Sequence, residues 1–117
     1  MPQVKKLGGI DRDTEAELAK LKAPQIRVLK TLAEAKGSLN RRKIAERSDI
    51  DVMYLTECLG SLDPAQNEKT QLRTKFKTLI GWGFATAEKL DIDGVEETVH
   101  NITAKGREAL EELQEAN

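Results

Sequence analysis

Aromatic side chains are nearly absent from this 117-residue chain: one tryptophan, one tyrosine and two phenylalanines, 3% of the sequence. A core must therefore be assembled from Leu, Ile, Val and Ala. There is one cysteine, Cys58, which excludes an internal disulfide framework and suits a reducing compartment. The single histidine, His100, has no Cys or His at metal-ligand spacing, so no metal is expected. No apolar run reaches membrane-spanning length and no leader with a basic start and apolar middle is read, so a soluble cytoplasmic protein with no membrane contact is the expectation. No nucleophile–base pair, phosphate loop or carboxylate dyad is present. Neither catalysis nor a cofactor is expected.

Charge is what the chain has in quantity. Asp, Glu, Lys and Arg make up 33% of it, for a formal net charge of −1. The near-neutrality is a cancellation. Residues 1–48 carry twelve Lys/Arg against six Asp/Glu, and residues 67–83 carry four bases against one acid. Residues 49–66 carry four acids and no base, and residues 84–117 nine acids against three bases. A chain polarised in this way can present a positive face to phosphate despite its sum.

The length fits one domain. Residues 1–11, with Pro2, Gly8 and Gly9 and no periodicity, are expected to form a mobile arm ahead of a single domain over 12–117. Asp13 or Thr14 can cap a short helix to about Leu21. Pro24 suits the first turn of the next, which carries Ile26, Leu29, Leu32 and Ala33 at helical spacing and is expected to stop at Gly37. Ser38-Leu39 predicts a very short strand, and Asn40 caps a helix over 41–48. Asp49-Ile50-Asp51 is a turn that caps a helix over 52–62, stopped by Asp63-Pro64. Asn67 or Glu68 opens a helix to about Trp82, with Gly83 as its stop. Strands over 84–90 and 95–101 are joined by Asp93-Gly94, a hairpin signal. Thr103 caps a last helix with Ala109, Leu110 and Leu113 inside. The expected class is α+β, mostly α.

Residues 41–60 (RRKIAERSDIDVMYLTECLG) resemble a helix-turn-helix segment, with Ala45 at the close helix approach and Ile50 anchoring the turn. Residues 101–110 (NITAKGREAL) resemble the Thr-x-x-Gly-Arg-x-x-Leu ending of MarR- and PadR-type winged-helix regulators. Residues 79–84 (LIGWGF) resemble the passage from recognition helix to wing. The resemblance spans about residues 24–113. It implies a winged helix-turn-helix with a two-stranded hairpin wing and a capped C-terminal helix. It further implies transcription regulation through double-stranded DNA, as a homodimer, with the helix before the wing in the major groove. One departure concerns helix number: three helices are read between short strand and wing. Either 52–62 is inserted, or the helix-turn-helix pair is 52–62 with 68–81.

On helix 68–81, a wheel at 100° per residue puts Leu72, Phe76, Leu79 and Ile80 on one stripe and Thr70, Gln71, Thr74 and Thr78 opposite. Arg73, Lys75 and Lys77 rim the polar face. Small donors and acceptors flanked by cations suit base edges flanked by phosphates. Thr70, Gln71, Arg73 and Thr74 are thus the expected readers, and Lys69, Lys75 and Lys77 the phosphate contacts. Arg41, Arg42 and Lys43, at a helix N-terminus, are further phosphate candidates. Helix 52–62 carries no cation and is read as a packing helix.

The hairpin points the other way. Glu88, Asp91, Asp93, Glu96 and Glu97 crowd its tip, where a DNA-contacting wing normally carries Arg or Lys. The alternative function is a protein-interaction module taking a basic partner on the acidic wing and C-terminal helix. Leu18, Leu21, Leu110 and Leu113 either form a dimer interface or close one core. Cys58 is expected to be buried and inert, His100 to be a surface residue, and Trp82 to pack at the helix–wing junction.

Overall fold

The computed structural model describes residues 20–116. The arm over 1–11 and the helix expected from 13, with Leu18, lie outside them. Helix α1 (Ala23–Glu34) starts with Pro24 in its first turn, where a missing N–H costs nothing. It ends at Glu34, ahead of Gly37, because Ala35 turns extended at φ −76°, ψ 146°. Strand β1 (Leu39–Asn40) follows, and Asn40 caps α2 (Arg41–Ser48) by accepting from the Lys43 N–H at 2.8 Å. Asp49 leaves α2 in the left-handed conformation, and Asp51 caps the next turn by accepting from the Met53 N–H.

The segment expected as helix 52–62 is shorter. A 3₁₀ turn (Val52–Tyr54) runs into α3 (Leu55–Cys58), and the chain leaves at Gly60, whose φ of 107° an L side chain rarely adopts. Asp63-Pro64, expected as a stop, is instead a start. Asp63 accepts from the Ala65 N–H and Pro64 opens α4 (Pro64–Thr74). The rod expected over 68–81 is broken: Lys75 adopts φ 70°, and Thr78 caps a separate turn, α5 (Leu79–Trp82).

That break has a structural meaning. The Ile80 N–H donates to the Leu59 carbonyl at 3.0 Å, the bond a continuing helix would make to the residue four ahead. The bond splices the first turn of α5 to the end of α3 across an excursion through residues 60–78. Polar side chains lock the splice. Asn67 accepts from the Ser61 N–H at 2.7 Å and donates to the Ser61 carbonyl at 3.0 Å. A Cβ on Gly60 would lie 2.8 Å from both Asn67 Oδ1 and Thr78 Oγ1, so the two polar groups close against bare backbone there. Sequence offered 52–62 as the insertion, or 52–62 with 68–81 as the helix-turn-helix pair; the bond instead sets α4 apart, between the two short helices it joins.

Strands β2 (Ala85–Ile92) and β3 (Val95–Ile102) pair from Ala85↔Ile102 to Ile92↔Val95. Asp93 and Gly94, both at positive φ, make the turn. Strand β1 adds to the other edge of β3 through Leu39↔His100 and Asn40↔Val99, giving an antiparallel sheet of order β1-β3-β2. Because β1 is so short, the outer half of the hairpin is a two-stranded ribbon. Thr103 then caps α6 (Ala104–Ala116), accepting from the Gly106 N–H at 2.9 Å.

The core joins Val28, Leu29 and Leu32 of α1 to Ile44, Ile50, Leu55, Leu59, Leu79, Trp82, Phe84, Ala109 and Leu110. Leu21 and Leu110 belong to it and Leu113 packs against it. Those side chains close one core, so Leu21 and Leu110 cannot also form the exposed dimer surface that was the alternative. Gln25 is a buried tie: its Nε2 donates to the carbonyls of Cys58 and Lys77, at 3.1 and 2.9 Å. The molecule is thus α+β and mostly helical. Among the described residues no helix is long and apolar enough to cross a membrane.

Candidate nucleic-acid interface

Helix α4 sits the opposite way round from the amphipathic expectation. Its inward side is polar: Asn67 and Thr70 are buried and Thr74 half-buried. Its outward side carries Leu72, 74% exposed, between Lys69 and Glu68. The inversion follows from what α4 packs against. The splice offers backbone polar groups and needs side-chain partners, which Asn67 supplies. Thr70, expected to reach base edges, is fully buried with no partner for its hydroxyl among the described residues. Thr74 spends its hydroxyl on the Thr70 carbonyl at 2.8 Å and accepts from the Phe76 N–H. Neither threonine is available to a groove. Of the expected readers, Gln71 and Arg73 stay exposed, and Arg73 pairs with Glu57 at 2.9 Å. That ion pair is solvent-accessible, worth at most about 1 kcal/mol, and a phosphate can displace its carboxylate.

Arg41 also departs from expectation. It is half-buried, and its Nη1 donates to the Gly60 carbonyl at 2.9 Å and lies 3.0 Å from His100 Nε2. A guanidinium cannot accept, so Nε2 must, which leaves the proton on Nδ1 to donate to the Thr86 carbonyl at 3.0 Å. His100, expected on the surface, is fully buried. Burial first, and then the Arg41 charge, hold its pKa down to about 4, against a smaller opposing pull from the Thr86 carbonyl. Arg41 is thus an internal brace between α2, the splice at Gly60 and β3. Arg42 and Lys43 stay exposed beside it. The surface hollow at Arg41 is lined by Ser61, Asp63, Gln66, Lys89 and Thr98, with none of the cations of residues 69–77 among its described lining residues.

The cations that do converge lie at the far end of α4. Lys20, Gln71, Lys75, Phe76, Lys77 and Trp82 line one pocket, and none of these residues is acidic. Lys22 adds a fourth ammonium nearby, 3.9 Å from the Phe76 ring centroid, a cation–π contact. Gln25, bonded to the Lys77 carbonyl, holds the chain segment at 20–22 against 75–77. Lys20, Lys22 and Phe76 carry no local sequence signal of a site. Only the contact between α1 and a segment some fifty residues on assembles them.

The ribbon keeps its carboxylates. Glu88, Asp91, Asp93 and Glu96 are exposed, while Glu97 accepts from Asn40 Nδ2 at 2.9 Å. Its register puts Leu90, Ile92 and Val95 on one face, all exposed. Cys58 is buried, and burial followed by the Glu57 charge pushes its thiol up to about 11, so it holds little thiolate. Among the described residues no group of three His, Cys, Asp or Glu could hold a metal ion. No protein-family model matches the chain, and no curated protein matches it.

Proposed function

We propose that this chain is a winged-helix protein that binds double-stranded DNA, gripping phosphate through the cations around the end of α4, and that it regulates transcription. One observation carries this reading: Lys20, Lys75 and Lys77 line one pocket with Gln71, and among the described residues no carboxylate lines it. The sheet order β1-β3-β2 and the closing hairpin and capped helix support the winged-helix assignment. The splice explains the extra helix: residues 60–78 interrupt the helix that would otherwise run straight into the hairpin. The ending NITAKGREAL adds the resemblance to MarR- and PadR-type regulators.

With Thr70 and Thr74 turned inward, the interface holds many phosphate donors and few base readers. Binding should therefore be strongly salt-dependent and weakly sequence-selective. Affinity of the full chain for a short duplex, measured across a salt series, is expected to fall linearly in log–log form. Lys75→Ala with Lys77→Ala should cost roughly tenfold at low salt and flatten the slope by nearly two, since each lost phosphate contact removes about 0.9. Affinity indifferent to salt, or a double variant that binds like the parent, would refute the assignment.

A second reading is favoured by the ribbon: an acidic hairpin with Leu90, Ile92 and Val95 exposed on one face suits a basic, partly apolar protein partner. Reversing Asp91, Asp93 and Glu96 to Lys separates the two. DNA affinity should hold or rise if the pocket cations are the interface. A loss of DNA binding would move the contact to the hairpin, and recovery of a protein partner that the reversal releases would support the second reading.

A further inference from the structure

We propose that the outer edge of β2 takes an added strand: an extended, basic segment of a partner protein, seated in the cleft between β2 and α4. The proposal is independent of the DNA-binding reading and uses none of its lysines. Of the second reading it keeps only the basic partner, and moves the contact from the apolar face of the ribbon to the backbone edge. The sheet order β1-β3-β2 leaves one side of β2 at the margin. Across the two-residue turn Ile92 and Val95 form a hydrogen-bonded pair, and such pairs alternate along the ribbon. Thr86, Glu88 and Leu90 therefore spend their N–H and C=O groups on β3, while Ala87, Lys89 and Asp91 aim theirs outward. The Phe84 carbonyl, accepting from the Thr103 N–H at 3.0 Å, sets the same alternation from the base of the hairpin. Among the described residues no strand pairs with the outward edge, and no turn or loop backbone bond reaches it.

The cleft beside this edge says what would add. It holds about 450 Å³, a size usual for ligand sites. Ala87 lines it from the strand and Pro64, Glu68 and Gln71 line it from α4, with Leu62 and Ile80 as apolar surface. An edge strand facing a helix across a groove is where an extended peptide can add a strand, its backbone giving affinity and its alternate side chains filling the groove. Residues paired across antiparallel strands share a face. Peptide residues bonded to Ala87 and Lys89 thus turn their side chains to the cleft side, where Leu62 is 38% exposed. Those positions suit Val. The residue between them lies opposite Glu88, where Lys or Arg finds a carboxylate. The wider charge agrees: Glu68, Glu88 and Asp91 are exposed, and Lys89 is engaged by Glu96 at 3.7 Å. A second copy would set its own Glu88 and Asp91 against these, and a nucleic-acid backbone would bring phosphates. Carboxylates on an edge strand deter pairing with its own kind and still admit a basic one.

The probe is a blocked heptapeptide of alternating lysine and valine, titrated into the ¹⁵N-labelled full chain. In the protein alone the Ala87 and Lys89 amides should exchange with solvent faster than those of Glu88 and Leu90. The peptide should slow the first two and shift them saturably, with a midpoint on the order of 0.1–1 mM, as suits one short added strand. N-methylation of the valines, which bear the bonds to the edge, should raise the midpoint at least about tenfold by removing several backbone bonds. N-methylation of the lysines keeps the same charge and should leave the midpoint within about threefold, since their amides point away from β2. A glutamate–valine peptide should not bind, and Glu88→Lys should weaken the lysine–valine peptide about fivefold. A valine-methylated peptide that binds like the unmethylated one, or a glutamate–valine peptide that binds as well, overturns the proposal. Ala87 and Lys89 amides already slow in the protein alone also overturn it, because the chain then covers its own edge. So do edge shifts that grow with protein concentration alone, which assign the edge to a second copy. A short duplex titrated in parallel separates the two readings. Duplex binding without peptide binding discards strand addition only, and peptide binding in a chain that ignores duplex keeps it and discards the DNA reading.

Discussion

Gly106→Ala is expected to destabilise this protein by about 3 kcal/mol or more, although glycine-to-alanine changes inside helices ordinarily stabilise by roughly 0.5–1 kcal/mol. Gly106 lies in the first turn of α6 (Ala104–Ala116), directly against Phe84 at the base of the hairpin. A Cβ there would overlap the Phe84 carbonyl oxygen, approach the Phe84 carbonyl carbon at 3.0 Å and meet Ile102 Cγ1 at 2.8 Å. Backbone cannot rotate out of the way as a lysine tail could. Nor can Phe84 retreat: its ring is fully buried and stacks on Trp82 with centroids 5.8 Å apart, and its carbonyl accepts from the Thr103 N–H at 3.0 Å. Urea unfolding measures the effect. Gly37→Ala is the control, because nothing lies within 4 Å of a Cβ there, and it should stay within about 0.5 kcal/mol of the parent. A Gly106→Ala protein that unfolds at the parent's urea midpoint would mean that α6 does not seat on the Phe84 carbonyl. The position is also the glycine of the Thr-x-x-Gly-Arg ending, and the close approach gives that motif a physical reason in this chain.

The elements that could be read from sequence are those in which a single side chain decides a local geometry. Asn40, Asp51 and Thr103 cap as their residue types predict, and Asp93-Gly94 turns the hairpin. Where tertiary contacts decide, pattern reading failed. Leu72, Phe76, Leu79 and Ile80 share a helical stripe only if one helix runs through them, and the break at Lys75 carries no glycine or proline to announce it. Asp63-Pro64 was ambiguous, since the same pair that can end one helix supplies the N-cap and first residue of the next. The splice itself is invisible locally, because the Leu59–Ile80 bond joins residues with a whole helix between them. Once the splice exists, the polar side of α4 has partners and turns inward. That single long-range event removes Thr70 and Thr74 from the candidate interface. It also brings residues 75–77 to α1 and creates the pocket.

The same logic buries His100 and gives the fold an acid-sensitive point. With its pKa held near 4 in the folded chain, against an ordinary value of 6.5, His100 folds as the neutral imidazole. The unfolded chain binds the proton first as pH falls, so the contribution to stability is complete above about 6.5 and is lost progressively down to about 4. At about 1.4 kcal/mol per unit the full loss is on the order of 3 kcal/mol, of which about 2 should be gone by pH 5. Urea unfolding of the parent and of His100→Gln across this range isolates the effect, because the glutamine variant shares every other titrating group. The parent should lose stability faster than the variant between pH 6.5 and 4, and the two should run parallel above 7. Arg41→Met tests the smaller of the two causes, the neighbouring charge, and leaves burial in place. Without the guanidinium, His100 takes its proton more readily, so the lower end of the window rises toward 6.5 and the total pH-dependent loss shrinks, while the Gly60 carbonyl left without its donor costs about 1–3 kcal/mol at every pH. Parallel curves for the parent and His100→Gln throughout would mean that the imidazole is hydrated in solution. In that case the brace from α2 through Gly60 to the hairpin does not hold.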